Sequence, residues 1–397
     1  MPESIGLVLA GGGARGAYEI GALSVLLPWL ERENGQRPDV VVGTSVGALN
    51  AAYIAAHANE PTAELVEQGC QIWREIRYRD VLDPILSIGE LSTVSRLAVS
   101  LLFRGVAPYS LLDPAPLGAT LPRLITFADI HKNVTDPDAG LRVCAVVATA
   151  AHTNRSVVFH DGGPNPASDE RRGIDYVPTE IMEAHVQASA AIPVAFPGIE
   201  VQQPDAARGW YFDGGTRLNT PIKPALALEA TRVIVIGLNS VSPAPASAQR
   251  PDLFDGASQI VQGLLVDPLM NDVETLATIN ETLISGGRAG GGDDQRKVVP
   301  YIFIAPQTPN KLGEIAQQVY HECYSRLKGM AHSRDLAWLG RLIGAGRSTT
   351  RGELFSYLFF APEFATKLIE LGRADATSWT EQSHDDGAWQ RGPLPRA

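Results

Sequence analysis

The chain has 397 residues, 45% of them hydrophobic and 19% charged, enough apolar material for one large domain with an appendage or for two domains. Its net charge of −11 argues against nucleic acid as a main partner, since phosphate binding needs clustered Lys and Arg, and disfavours permanent adhesion to anionic lipid. Cys70, Cys144 and Cys323 are odd in number and far apart; they make no disulfide framework and no metal-ligand spacing, which predicts a reducing compartment and no metal.

Residues 1–6 carry an acid and lack a basic stretch and a small-residue cleavage site, so no signal peptide is expected. Residues 5–9 form a short apolar run ending in glycines, which predicts a buried strand. Residues 17–30 repeat apolar side chains at helical spacing through Ile20, Leu23, Leu26, Leu27 and Leu30. A second strand is expected at 40–42 and a small-residue helix at 46–58. The uncharged stretch 40–59 contains Gly43, Thr44, Ser45, Gly47 and Asn50, and so reads as strand, turn and helix rather than as a membrane span. A soluble, cytoplasmic protein is the expectation. Residues 65–76 predict an amphipathic helix, whereas 84–121 have poor periodicity and could cap a site. Strands are expected at 141–148 and 156–159, followed by a polar loop at 161–173. A helix at 180–191 should stop at Pro193, and strands should follow at 210–212 and 232–236. Residues 242–249 read as a Pro/Ala/Ser linker and 286–295 as a mobile glycine-rich loop. Residues 298–304 predict a last strand. From Leu312 onward the pattern is helical, with a helix starting at Pro362 and Glu363, facing inward through Phe364, Leu368 and Ile369, and ending at Gly372. The alternation predicts an α/β fold: a three-layer α/β/α arrangement around a mainly parallel sheet, with a helical C-terminal extension.

Three motifs carry chemistry. Gly11, Gly12, Gly13, Ala14, Arg15 and Gly16 lie between a strand and a helix, where glycines allow a tight turn that gathers N–H groups at the positive end of a helix. Such a loop suits a dinucleotide pyrophosphate, the oxyanion of an acyl-transfer intermediate, or a plain structural turn, and alone it does not choose. Gly43, Thr44, Ser45, Val46 and Gly47 follow a strand and precede a helix, the context of a nucleophile elbow; the bland alternative is a tight small-residue turn. In a dinucleotide fold the second strand should end in an acid for the ribose, and here Ser45 lies beyond that end. A serine needs a base. None of His57, His131, His152, His160, His185, His321, His332 and His384 sits in a recognisable triad motif, and a nucleophile this near the N-terminus departs from the α/β-hydrolase order. Asp213, with Gly214 and Gly215 after an aromatic strand, offers another base, against the bland reading of a common D-G turn.

Together the motifs resemble the patatin-like phospholipase family. Its glycine-rich signature matches Gly11 to Gly16, its G-x-S-x-G matches Gly43 to Gly47, and its D-G-[GA] matches Asp213 to Gly215. Ala188, Ser189, Ala190, Ala191, Ile192, Pro193, Phe196 and Pro197 are similar to the family segment before the aspartate, and Asn219 and Pro221 to the one after it. The run 351–358 and then 362–374 is similar to the ends of bacterial members. A second D-G-G at Asp161, Gly162 and Gly163 lacks those flanks and is assigned to a surface turn. The resemblance implies a patatin-like fold and a serine acyl hydrolase with Ser45 as nucleophile and Asp213 as base. Gly11, Gly12 and Gly13 would form the oxyanion hole, and Arg15, Gly16, Gly43, Gly47, Gly214 and Gly215 would support the motifs. It implies a lipid acyl ester as substrate and no cofactor. Ordinary aspartate, with a pKa of about 3.9, is a feeble base, so Asp213 is expected to be desolvated. The expected layout is a catalytic domain over 1–309, with a motif-bearing core at 5–240 and insertions near 84–121 and 242–295, and a helical region over 310–397. The apolar run 97–103 reads first as core, and otherwise as an acyl pocket or a surface in transient contact with a membrane. The rival readings are a Rossmann-type oxidoreductase and a non-catalytic lipid-binding protein on the same scaffold. Oligomeric state is left open.

Overall fold

Runs of β-branched and small apolar residues form the centre of the molecule. The computed structural model describes residues 3–83, 114–193, 195–240, 256, 267–285, 297–325, 333–344, 349–382 and 388–392. Among them the strands are β1 (Ile5–Leu9), β2 (Val40–Thr44), β3 (Val143–Ala150), β4 (Ser156–Gly162), β5 (Ile174–Pro178), β6 (Ile199–Val201), β7 (Gly209–Asp213), β8 (Arg232–Ile236) and β9 (Tyr301–Ile304). The path across the sheet is β5-β4-β3-β2-β1-β8-β9, with β7 pairing β3 and β6. Pairing is parallel from β3 through β2, β1 and β8 to β9, and again between β4 and β5. It is antiparallel where β3 meets β4 and β7. The sheet is therefore mainly parallel, and β1 and β2 are buried at every position, as strands covered on both faces must be.

Alternation along the strands divides the core. Leu7, Leu9, Val41, Cys144 and Val146 pack towards one helical layer, whereas Val8, Val40, Val42, Ala145 and Val147 pack towards the other. The first layer contains α1 (Gly16–Asn34), α2 (Val46–Ala56), α3 (Thr62–Glu75), α4 (Ala115–Leu124), α5 (Phe127–Thr135) and α6 (Glu183–Ser189). The second is built by α7 (Ile222–Ala227) and α8 (Asp267–Ile284). α9 (Lys311–Val319), α10 (Arg334–Ile343), α11 (Thr349–Leu358) and α12 (Pro362–Glu381) extend the first layer. Three layers and C-terminal helices match the expected architecture. The expected linker at 242–249, the loop at 286–295 and the apolar run at 97–103 lie outside the described residues, as does most of 84–121.

Two expectations need correction here. Gly372 does not end a helix, because α12 runs through it to Glu381. It marks instead where α12 crosses α1 at backbone distance: a Cβ on Gly372 would stand 2.3 Å from the carbonyl oxygen of Tyr18, and one on Gly21 would stand 2.6 Å from that of Ile369. Glycine there serves the close crossing. Side-chain contacts lock the pair, with Tyr18 OH donating to Asp375 Oδ2 at 2.9 Å and the Trp29 and Trp379 rings edge to face at 5.5 Å. The second D-G-G is not a surface turn either. Asp161 lies within β4 with its side chain 5% exposed, and His131 Nδ1 is 3.0 Å from its carboxylate. The sequence reading stopped β4 at Phe159 because polar residues follow; their partners come from α5 and β3, which local pattern does not reveal.

Candidate active site

The site begins with a strained serine. β2 ends at Thr44 and α2 begins at Val46, leaving Ser45 alone at the bend with φ 55° and ψ −124°. A positive φ at a non-glycine residue costs about 1–3 kcal/mol and persists only when its surroundings enforce it. The flanking glycines are that enforcement. A Cβ on Gly43 would lie 2.1 Å from the carbonyl oxygen of Gly47, and one on Gly47 would lie 2.3 Å from that of Leu9. We expect Gly43→Ala to destabilise the chain by about 3 kcal/mol or more, because the obstacle is backbone that cannot step aside. Thermal unfolding measures this, and an unchanged midpoint would mean that the bend tolerates a side chain.

The elbow turns Ser45 towards the end of β7. Ser45 Oγ donates to Asp213 Oδ2 at 2.6 Å, joining residues 168 positions apart. Asp213 is 1% exposed. Burial pushes its carboxyl up to about 7, against the lowering effect of the Ser45 hydroxyl and of the Gly215 N–H, which donates to Oδ1 at 2.7 Å. Its backbone is held as well: Asp213 N–H donates to the Ala191 carbonyl at 2.8 Å, and Thr149 and Thr216 hydroxyls donate to its carbonyl oxygen. Gly214 lies against β3, where a Cβ would meet the Val147 carbonyl oxygen at 2.3 Å. Among the described residues no histidine hydrogen-bonds Ser45, and no group of three or more His, Cys, Asp or Glu is placed to hold a metal ion.

Two polar residues complete the setting in ways that their sequence position does not announce. Ser189, fully buried at the end of α6, accepts a hydrogen bond from Ser45 N–H at 2.8 Å and donates to the Val147 carbonyl at 2.6 Å. It ties the elbow to β3. Asn219 Oδ1 accepts from Gly11 N–H at 3.0 Å. Of the three expected oxyanion donors, Gly11 is thus already engaged, although it stands beside Ser45, whose Cβ would be 3.0 Å from a Cβ on Gly11. Gly12 and Gly13 follow it in the same loop. Glu19 closes the back of that loop, accepting from Ala10 N–H at 3.0 Å and from Asn50 Nδ2 at 2.8 Å. Its burial pushes its carboxyl up to about 8.

Arg15 points away from Ser45 into the C-terminal helices. It is fully buried, forms an ion pair with Glu353, donates to Ser356 Oγ at 2.8 Å and to the Glu353 carbonyl at 2.9 Å, and lies 3.9 Å over the Tyr357 ring. Glu353 in turn accepts from Gly313 N–H at 2.8 Å, so α9 and α11 both bear on the glycine loop. Glu353→Ala should lower stability by about 3–5 kcal/mol, because a buried guanidinium would be left without its counter-charge. Denaturant unfolding would show it as a lower midpoint at unchanged slope; a loss below about 1 kcal/mol, typical of an exposed pair, would mean that the pair contributes little.

Sheet order, strained serine and buried carboxylate define an α/β protein with an elbow at the C-terminal end of β2. A family model described as Patatin-like phospholipase matches residues 7–226, more than half of the sequence. The chain belongs to the patatin-like phospholipase family. It is similar to patatin-like phospholipase domain-containing protein 6 of Mus musculus, at 38% identity over 86 residues, 22% of this chain and 6% of that protein. It is also similar to lysophospholipase NTE1 of Chaetomium globosum, at 46% identity over 57 residues, 14% of this chain and 3% of that protein. The matched stretches thus span only a small part of those relatives' length. Among solved structures, VipD of Legionella pneumophila aligns over 77% of this chain and 62% of its own, with 16% identity and a TM-score of 0.32.

Proposed function

We propose that the chain is a serine hydrolase of lipid acyl esters, working through Ser45 and Asp213 without a histidine. The observation that carries this reading is the 2.6 Å hydrogen bond from a strained, elbow-borne Ser45 hydroxyl to a fully buried aspartate. A carboxylate pushed up to about 7 is matched to taking a proton at neutral pH, which an ordinary aspartate is not.

Ser45 Oγ attacks the ester carbonyl while its proton passes to Asp213. The carbonyl oxygen becomes an oxyanion, received by the N–H groups of Gly12 and Gly13 in the loop that leads into α1, whose dipole also favours negative charge there. Asp213 then returns the proton to the departing alkoxide as the C–O bond breaks, leaving acyl-Ser45. Water attacks that ester, giving a proton to Asp213 and releasing the fatty acid as Ser45 recovers its hydrogen. Ser189 and Asn219 act as positioning residues for the elbow and the loop. The helices beyond residue 310 belong to the same catalytic unit, since Arg15 of the loop ends on Glu353.

Lipid as the substrate class rests on the family and on the lysophospholipase name of one relative. Among the described residues no helix is long and apolar enough to cross a membrane. A lipid substrate would bring the protein into transient contact with a lipid surface. A dinucleotide reading of Gly11, Gly13 and Gly16 has less support, because Ser45 stands beyond the end of β2, where that fold needs a ribose-binding acid. Turnover of p-nitrophenyl acyl esters of increasing chain length, alongside a lysophospholipid, tests the proposal. Hydrolysis that favours longer chains and includes the lysophospholipid is expected, and no turnover of any acyl ester would overturn it.

A further inference from the structure

A cleft of about 360 Å³, without Ser45 or Asp213 in its lining, lies on the α7 and α8 face of the sheet. Leu218, Ile222, Leu226, Leu276 and Ile279 give it an apolar lining. Arg172, Arg217 and Lys223 also border it, and they are clustered. Arg172 and Lys223 approach the same carboxylate of Asp169, at 3.1 and 3.8 Å. Arg217 Nη2 lies 3.8 Å from where a Cβ would stand on Gly173, the neighbour of Arg172. Arg217 is exposed and has no ion-pair partner among the described residues. Two acids oppose these cations: Asp169, and Asp272 in the cleft wall, whose burial pushes its carboxyl up to about 6. Below that pH the balance turns further towards positive charge. One more wall residue is unusual. Thr220 is 1% exposed, and its Oγ1 has no hydrogen-bond partner among the described residues. That oxygen is closed off from the cleft, so it is an unmet polar group inside the wall and not a contact for a ligand.

An apolar wall and a cationic cluster in one cleft match one kind of ligand, and the volume lies within the range of small-molecule sites, about 300–1,000 Å³. We propose that this cleft binds an amphipathic carboxylate, the head held by Arg217, Arg172 and Lys223, and the chain laid along Leu226, Leu276 and Ile279. The proposal does not require Ser45 to be catalytic. If the proposed hydrolysis holds, the ligand is its fatty-acid product class, and the site is a place where product acts back on the enzyme. The route is short. Arg217, Leu218 and Thr220 follow Asp213 in the chain, and Thr44, beside Ser45, donates its hydroxyl to the Leu218 carbonyl at 3.0 Å.

Calorimetric titration of dodecanoate, kept below its micelle concentration, tests this on the full chain before and after treatment with a fluorophosphonate. One saturable site is expected in both preparations. Arg217→Glu and Leu226→Asp should each weaken Kd at least tenfold, with folding checked by circular dichroism. Arg217→Glu changes an exposed side chain and carries the test even if Leu226→Asp does not fold. Dodecanol, which lacks the charge, and inorganic phosphate, which lacks the chain, should each bind at least tenfold more weakly. An unchanged Kd in Arg217→Glu overturns the proposal. So does binding that disappears when Ser45 is capped, which would place the ligand in the hydrolytic site, and so does phosphate binding as tight as dodecanoate, which would mean a simple anion site. A chain that fails to react with the fluorophosphonate contradicts the role of Ser45 instead, and the Arg217→Glu comparison still decides the cleft.

Discussion

Ser45→Ala lowers kcat/KM for an acyl ester by about 10,000-fold or more while the fold survives. Removing the atom that forms the covalent intermediate leaves only what the oxyanion donors and substrate binding supply. Structural cost is small by comparison. Among the described residues the hydroxyl makes a single hydrogen bond, to Asp213, while the bend at φ 55° is enforced by Gly43 and Gly47 and by the Ser189 hydroxyl on Ser45 N–H, all of which alanine retains. The check is steady-state kinetics of the purified variant beside its melting curve. A variant that melts like the parent yet keeps even a tenth of its activity would remove Ser45 from the chemistry.

Asp213→Asn is the second large effect, about 10,000-fold, by analogy with exchanging a triad aspartate for its amide. The amide can still accept from Gly215 N–H, but its other atom is a donor facing Ser45 Oγ and cannot take the proton. The pH dependence goes further. The base must be ionised, and Asp213 is pushed up from 3.8 to about 7, so kcat/KM should fall tenfold per pH unit below about 7, and Asp213→Asn should lose that limb. Stability runs the opposite way. Between about pH 4 and 7 the folded chain holds a proton on Asp213 that the unfolded chain has released, so stability falls as pH rises through that window. Glu19, pushed up to about 8, prolongs the fall. Asp213→Asn should therefore melt above the parent at pH 8, with the gap closing towards pH 5. A parent acid limb near pH 4 would show an aspartate that burial has not altered.

How far the site could be read from sequence differed by kind of residue. β1 and β8 were legible to the residue, because an unbroken apolar run between turn residues reports a strand buried on both faces. The Ser45 elbow was legible because strain demands glycines at fixed spacing. β5 was not: Ile174–Pro178 alternates buried and partly exposed residues, includes an aspartate and ends in proline, so it reads as part of the polar loop before it. β6, three residues long, carries too little pattern to register. Ser189 and Asn219 appeared only as parts of motif-like segments, since their hydrogen bonds span 144 and 208 positions and depend on the sheet bringing β2, β3 and the glycine loop together. Arg15 was legible only as a support of its motif. Its partner Glu353 lies 338 positions away, on a helix that no local pattern connects to the loop.

Covalent labelling tests the central claim most directly. Intact mass and peptide mapping after fluorophosphonate treatment should place one adduct on Ser45 of the parent, with slowed labelling in Asp213→Asn and none in Ser45→Ala. An adduct of equal extent on Ser45→Ala, or an unlabelled parent that still hydrolyses esters, would contradict the account.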